Sequence, residues 1–343
     1  MSGGVDSSVA ASLLITQGYD VAGVSLRLWE PERPEARNCS DSSEAAKVAG
    51  FLGIPHTTLD ARSAFAQGVV RPFAQSYLAG RTPNPCVACN RDFKLGILLR
   101  YAQEQSADYV ATGHYARIID DPDTGPYLTR GVDRGKDQSY FLFDLSRRQL
   151  GATLFPLGDW RKEDVRSRAR ELGLPVADRP DSQDICLGNY RRLVESYAGP
   201  RVSAGGEIVD RQGRVLGAHR GIHRFTVGQR RGLGISAGEP LYVLQLAPES
   251  NRVVVGTREE LGSGGLVAHS VRWIEAPLGE EIEAEVQVRY RALAIGCRVR
   301  VGPTEKAEVY FKDGSATVTP GQAAVFYRGE RVLGGGWIES GIK

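Results

Sequence analysis

Seven residues near the start of the chain, Ser2-Gly3-Gly4-Val5-Asp6-Ser7-Ser8, combine bare backbone with hydroxyl groups just ahead of an apolar run. Glycine carries no Cβ, so successive backbone N–H groups can close on an anion. Ser2, Ser7 and Ser8 add hydroxyl donors, and a helix behind them adds the positive end of its dipole. The chemistry this suits is phosphate binding, with Asp6 able to hold Mg2+ against a departing pyrophosphate. No lysine follows in the G-x-x-x-x-G-K-[ST] pattern, so this is not a Walker loop. An ordinary Gly-Gly turn before a helix shares part of the pattern but has no use for the hydroxyls and the carboxylate.

The second group is "GRTPNPCVACNRDFK" (80–94), where two prolines stiffen a loop and Cys86 and Cys89 stand as C-x-x-C ahead of a helix. A thiolate at a helix N-terminus has its pKa lowered below the free value of roughly 8.5, which predicts a nucleophile at neutral pH. Half of a zinc site and a reducible disulfide are structural alternatives, although a four-cysteine site would need a second pair. A third segment, "DRPDSQDICLGNY" (178–190), places Cys186 in acidic, turn-like surroundings. Five cysteines in a chain of this size speak for metal or redox chemistry rather than a disulfide framework.

These groups need a scaffold. Alternating signals for helices and strands fill the first half: an apolar helix after the loop ending near Gly18, a strand at 21–29, a helix at 42–53, a strand at 55–60, a helix reaching Leu78, a helix at 89–105, a strand at 108–118 and a helix at 161–174. This predicts an α/β fold with an N-terminal doubly wound parallel sheet. From about residue 200, glycine pairs and short alternating runs such as "IEAEVQVRY" and "AAVFYRG" predict a β-rich remainder. The expected domains are 1–199, a small central domain at 200–264, and a C-terminal β-barrel at 265–343.

The ordered motifs "SGGVDSS", "GRTPNPCVACN", "ATGHYAR", "KDQSYFL", "DSQDIC", "FTVGQRRGLGI", "RYR" and "TPGQAAVFY" span essentially the whole chain. The first resembles the PP-loop, or N-type ATP pyrophosphatase, superfamily, and the full set resembles the tRNA-specific 2-thiouridylase family. The resemblance implies ATP-dependent replacement of O2 of the wobble uridine by sulfur, through an O2-adenylated base. It implies that Met1, Ser2, Gly3, Gly4, Val5, Asp6, Ser7, Ser8, Leu26 and Gly113 hold ATP with Mg2+. Asn84, Pro85 and Cys86 would meet the target base. His114, Lys136, Asp137, Gln138, Arg289, Tyr290 and Gln322 would contact tRNA. Cys89 would be the nucleophile and Cys186 the persulfide carrier, the two able to form a disulfide with each other. A sulfur-donor protein (a cysteine desulfurase or a sulfur relay) is the implied partner besides the tRNA anticodon stem-loop.

Two departures from that pattern matter. The family often has Asp where this chain has Cys86, so Cys86, Cys89 and Cys186 could instead converge as ligands of a [4Fe–4S] cluster that holds sulfide, with Cys86 otherwise a redox partner. The family also has a buried strand ahead of the glycine loop, which predicts a true start upstream of Met1.

Composition bounds the rest. The formal net charge is only +2, yet 7 of the 43 basic residues are lysine. The arginine excess, with pairs at Arg147-Arg148, Arg191-Arg192 and Arg230-Arg231, suits phosphate and base edges as well as it suits solvated faces. The sequence contains no run of 18 apolar residues and no signal-peptide pattern, so a cytoplasmic protein without a membrane anchor is expected. Oligomeric state is left open.

Overall fold

The computed structural model describes residues 1–29, 42–181, 186–199 and 205–343. The chain divides into two compact units. The first comprises Met1–Val69, Cys86–Gly188 and Gly329–Leu333; the second comprises Val70–Pro85, Asn189–Arg328 and Gly334–Lys343.

The first unit is α/β. The helix Val5–Thr16 buries Val5, Val9 and Ala10 against Val165 and Ala169 of the helix Lys162–Glu171, with Tyr115, Leu157, Leu174 and Val176 completing the core. Gly18, at φ +89°, takes the left-handed conformation that ends the first helix. Parallel pairing among the described residues of the first unit comes as two ladders. Gly23–Arg27 runs beside His56–Asp60, and Val110–Ala111 beside Thr153–Leu154. Met1 lies along the first ladder, where Ser25 Oγ donates to its carbonyl at 2.7 Å.

The expected strand at 108–118 is instead two. Val110–Ala111 ends, four residues intervene, and Ala116–Asp121 begins an antiparallel hairpin with Gly125–Arg130. The break coincides with Gly113, whose backbone packs so closely on the loop at Asp6-Ser7 that a regular strand bearing a side chain there could not pass.

The second unit is β-rich. A four-stranded sheet runs in the order Val215–His219, Gly206–Val209, Arg252–Gly256, Tyr242–Ala247, over a core of Ile208, Phe225, Val243, Val253 and Val255. Six further strands close into a barrel in the order Gly265–Trp273, Ala307–Phe311, Ile295–Val301, Glu281–Gln287, Ala323–Arg328 and Arg331–Ile342, the last pairing back to the first. Alternation along Ile295–Val301 explains its place: Cys297 and Val299 are fully buried while Arg298 and Arg300 point outward. Cys297 is thus a core residue. The central domain and C-terminal barrel expected from the alternating runs are both present.

Candidate active site

The helix Val5–Thr16 begins at Gly4, and no side chain caps that N-terminus among the described residues. Its first-turn N–H groups are therefore available to an anion. Gly3 sits at φ +70°, a conformation glycine adopts without penalty. Ser7 Oγ and Ser8 Oγ donate to the Gly4 carbonyl at 3.1 and 2.9 Å, while Ser2 N donates to Ser7 Oγ at 3.2 Å, which fixes the curl of the loop. Gly113 backs the loop from the other side: a Cβ there would lie 2.8 Å from the Asp6 carbonyl carbon and 2.9 Å from the Ser7 nitrogen. Leu26 is buried in its strand, paired with Leu59.

Beside the loop lies a charged network that sequence reasoning missed. Asp6 Oδ1 accepts from Tyr115 Oη at 2.7 Å and from Lys162 Nζ at 2.6 Å. Lys162, with its side chain only 9% exposed, also reaches Asp181 Oδ1 at 2.9 Å. Asp181 in turn meets Lys136 at 2.7 Å and Arg166 at 2.6 Å. Arg179 donates to the Gly3 carbonyl at 2.8 Å. Burial acts to raise the Asp181 carboxyl, but the hydrogen bonds from Lys136 and Lys162 outweigh it and hold the group down at about 2. Burial, and then the Asp6 carboxylate, push the Tyr115 phenol far up, so it stays protonated and donates.

The cysteine pair rides on one helical run. Pro85–Ala88 is α-helical, Cys89–Ile97 is π-helical, and Leu98–Glu104 returns to α. The π stretch is held by the segment that follows "KDQ". Gln149 Nε2 donates to the carbonyls of Arg91 at 2.7 Å and Leu95 at 3.0 Å, Asn90 Nδ2 donates to the Phe141 carbonyl at 3.2 Å, and Arg91 pairs with the buried Asp144. Gly96 leaves the room this needs, since a Cβ there would lie 2.9 Å from the Arg91 oxygen. Such π turns are frequent at functional sites.

The expectation of an acidic thiol is corrected here. Burial pushes Cys86 up to about 11, and it raises Cys89 as well; the Lys94 ammonium offsets only part of the effect. The α-helical turn carrying Cys86 has four residues, too few for a strong dipole to outweigh desolvation. Cys86, Cys89 and Cys297 are not in disulfides, whereas the exposed Cys186 is disulfide-bonded. The Cys89–Cys186 bond is therefore not formed in this structure. Residues 182–185 of the "DSQDIC" stretch lie outside the described residues.

The remaining candidates divide between the two units. His114 is buried, with Nδ1 2.6 Å from Thr112 Oγ1 and Phe155 edge-on to its ring. Burial first, and the Lys94 charge second, depress its pKa well below 6.5, so it is neutral. Asp137 is buried, its carboxylate accepting from Gly131 N, Ser139 N, Ser139 Oγ and Arg130. Gln138 Oε1 accepts from Tyr115 N at 3.0 Å. Within "KDQ" the side chains thus face the interior, and Lys136 joins the network around Asp181.

In the second unit Gln322 Nε2 donates to the Thr82 carbonyl at 2.9 Å, and Thr82 N donates to the Pro320 carbonyl at 2.9 Å. The "TPGQ" turn therefore holds the loop that leads to Asn84 and Pro85. Arg289 is exposed and Tyr290 half-buried in the link between Glu281–Gln287 and Ile295–Val301, with the Arg291 guanidinium 5.4 Å from the Tyr290 ring centroid.

Comparison with known proteins covers the whole chain. Residues 1–189 match the tRNA methyl transferase HUP domain, 193–257 the tRNA methyl transferase PRC-barrel domain, and 263–338 the Aminomethyltransferase beta-barrel domain. The chain is 48% identical to tRNA-specific 2-thiouridylase MnmA of Syntrophotalea carbinolica, over 98% of this chain and 97% of that one. It is 47% identical to the protein of the same name in Geotalea uraniireducens (100% and 94%), and 47% to that of Acidithiobacillus ferrooxidans (99% and 97%). The chain belongs to the tRNA-specific 2-thiouridylase family.

No group of three or more His, Cys, Asp or Glu side chains is arranged to hold a metal among the described residues, and Cys186 is disulfide-bonded. Mg2+ accompanying ATP fits at Asp6. Asp6 Oδ1 is used by Tyr115 and Lys162, but no hydrogen bond to Oδ2 occurs among the described residues, so that oxygen can face a cation. No helix among the described residues is long and apolar enough to cross a membrane.

Proposed function

We infer that this protein is a tRNA-uridine 2-sulfurtransferase, which uses ATP to convert the wobble uridine of tRNA to 2-thiouridine with release of AMP and pyrophosphate. The observation that carries the reading is the uncapped helix behind Ser2–Ser8 in the same unit as the half-buried Cys86 and the buried Cys89. Near-full-length identity to 2-thiouridylases supports it.

The chemistry follows from the weak reactivity of a urea-like carbonyl. Uridine O2 attacks the α-phosphorus of ATP, the bond from that phosphorus to pyrophosphate breaks, and O2 becomes part of an AMP leaving group. The loop N–H groups and the helix dipole take up the charge that develops on the polyphosphate. The terminal sulfur of a Cys186 persulfide then attacks C2 and expels AMP. The Cys89 sulfur, giving up its thiol proton as it attacks Cys186 Sγ, breaks the S–S bond, leaves the sulfur on C2 and forms a Cys89–Cys186 disulfide. An external thiol reduces that bond through exchange. The base must leave the anticodon stack to reach such a site, which is inexpensive in a loop.

In this account Asn84, Pro85 and Cys86 meet the extruded base, and Arg289 and Tyr290 meet tRNA. Gln322 holds the loop that leads to Asn84 within its own unit, and His114, Asp137 and Gln138 support the first unit from within. A sulfur-donor protein loads Cys186, and the protein works in the cytoplasm. The test is pyrophosphate release from ATP with and without tRNA. Release that requires tRNA bearing an unmodified wobble uridine supports the reading; release driven by a small amine without tRNA would move the protein to the small-molecule ligases. Full-rate thiolation dependent on iron and lost in Cys86→Asp would replace the persulfide with a cluster.

A further inference from the structure

The loop lacks the lysine that a Walker loop uses to reach the outer phosphates, yet a lysine from elsewhere is delivered to it. Lys162 opens the helix Lys162–Glu171, far along the chain, and its backbone N–H donates to Asp133 Oδ2 at 3.0 Å. Its side chain runs inward to a position shared between Asp6 of the loop and Asp181, with the ammonium 5.8 Å from the Tyr115 ring centroid. Burying an ammonium this deeply is costly unless anions surround it, and two carboxylates do so here.

The fold does not need Lys162 for those carboxylates. Asp181 keeps Lys136 and Arg166, and Asp6 keeps the Tyr115 hydroxyl, without it. The neighbouring charges are four cations, Lys136, Lys162, Arg166 and Arg179, against three carboxylates, Asp6, Asp133 and Asp181. Arg166 is fixed by the carbonyls of Ala177 and Arg179 as well as by Asp181, and Arg179 is fixed on the Gly3 carbonyl. Lys162 differs: it holds only carboxylates through a compact charge on a four-carbon stem, and it can exchange one anionic partner for another without breaking the backbone frame.

We propose that Lys162 is a polyphosphate-binding residue of the nucleotide site, supplying from the helix Lys162–Glu171 the cation that the Ser2–Ser8 loop lacks. It moves from Asp6 to the β- and γ-phosphates, which frees Asp6 for the accompanying Mg2+ and leaves the ammonium on pyrophosphate as the leaving group departs. The proposal rests on the reading of the loop as an ATP site and adds the residue that selects polyphosphate there.

The test is calorimetric titration of the full chain with MgATP, magnesium pyrophosphate and AMP, for wild type, Lys162→Met and Lys162→Arg. One charge-assisted contact to phosphate corresponds to about a ten- to hundredfold loss. Lys162→Met is expected to weaken ATP and pyrophosphate by that factor while AMP changes less than twofold, and Lys162→Arg is expected to recover part of the loss. Melting curves for both variants establish folding. Unchanged pyrophosphate affinity in Lys162→Met, or equal weakening of AMP and ATP, would overturn the assignment. If wild type bound neither ATP nor pyrophosphate, the reading of the loop itself would fall instead.

Discussion

Gly113 gives the sharpest single test of how the nucleotide loop is built. Adding one methyl group by Gly113→Ala places a carbon 2.8 Å from the Asp6 carbonyl carbon, 2.9 Å from the Ser7 nitrogen and 3.0 Å from the Asp6 Cβ, where ordinary contact begins at 3.4 Å. Every one of those atoms is backbone or attached directly to it, so no flexible side chain can turn aside. The loop or its backing must yield by roughly half an ångström. A displacement of that size takes an N–H···O contact from its usual ~2.9 Å toward the outer limit of a hydrogen bond. Overpacking of this kind costs about 1–3 kcal/mol. We expect ATP affinity to fall ten- to hundredfold, with each tenfold step worth about 1.4 kcal/mol. Gly50, inside the helix Ser42–Leu52, is the matched control, because nothing lies within 4 Å of its added Cβ. Gly50→Ala should leave binding unchanged and stabilise by about 0.5–1 kcal/mol through helix propensity. Calorimetric titration with MgATP and thermal melts of both variants make the comparison. Wild-type ATP affinity in Gly113→Ala would refute the claim that the loop is clamped from this side.

Three further expectations concern the walls of the site. The folded pKa of His114 lies below its unfolded value of roughly 6.5, so the unfolded chain takes up the proton first. The contribution of His114 to stability is full above about pH 6.5 and should fall by up to about 1.4 kcal/mol per pH unit below it. His114→Gln should therefore flatten the pH slope of denaturant melts between pH 7 and 5 without abolishing it, because burial also lowers His56, His219 and His269. Gln149→Ala removes both the N3 partner of the Ser146 cap and the donor to two carbonyls of the cysteine helix. It should cost about 1–3 kcal/mol by urea titration and lower kcat for thiolation, with KM for ATP unchanged. Gln322→Ala frees the loop at Thr82 and should raise KM for tRNA several-fold, measured in the same assay, without altering ATP affinity.

Much of the frame was legible in the sequence because local physics sets it. The glycines and hydroxyls of residues 2–8 specify a tight turn into a helix by themselves, and alternation in "AIGCRVRV" specifies a barrel strand with Cys297 inward. What was not legible came from long-range packing. The fate of a thiol depends on burial, and the pattern Cys86-x-x-Cys89 carries no record of how deep the helix lies, so the expected fall in pKa became a rise. Asp137 and Gln138, which the resemblance marks as tRNA contacts, also close hydrogen bonds with Gly131 and Tyr115 that no spacing rule reveals. Lys162 stands 156 residues from Asp6, and only the fold brings the two together. The π turn beginning at Cys89 depends on an amide from Gln149, again distant in sequence.

The central claim is tested most directly by digesting tRNA to nucleosides after incubation with the protein, MgATP and a persulfide donor, and measuring 2-thiouridine by mass spectrometry. The account predicts a 16 Da gain on uridine at the wobble position only, with one AMP and one pyrophosphate formed per modified base, and none in Cys186→Ser or without ATP. Unmodified wobble uridine despite tRNA-dependent ATP turnover, or thiolation that survives Cys186→Ser, would contradict it.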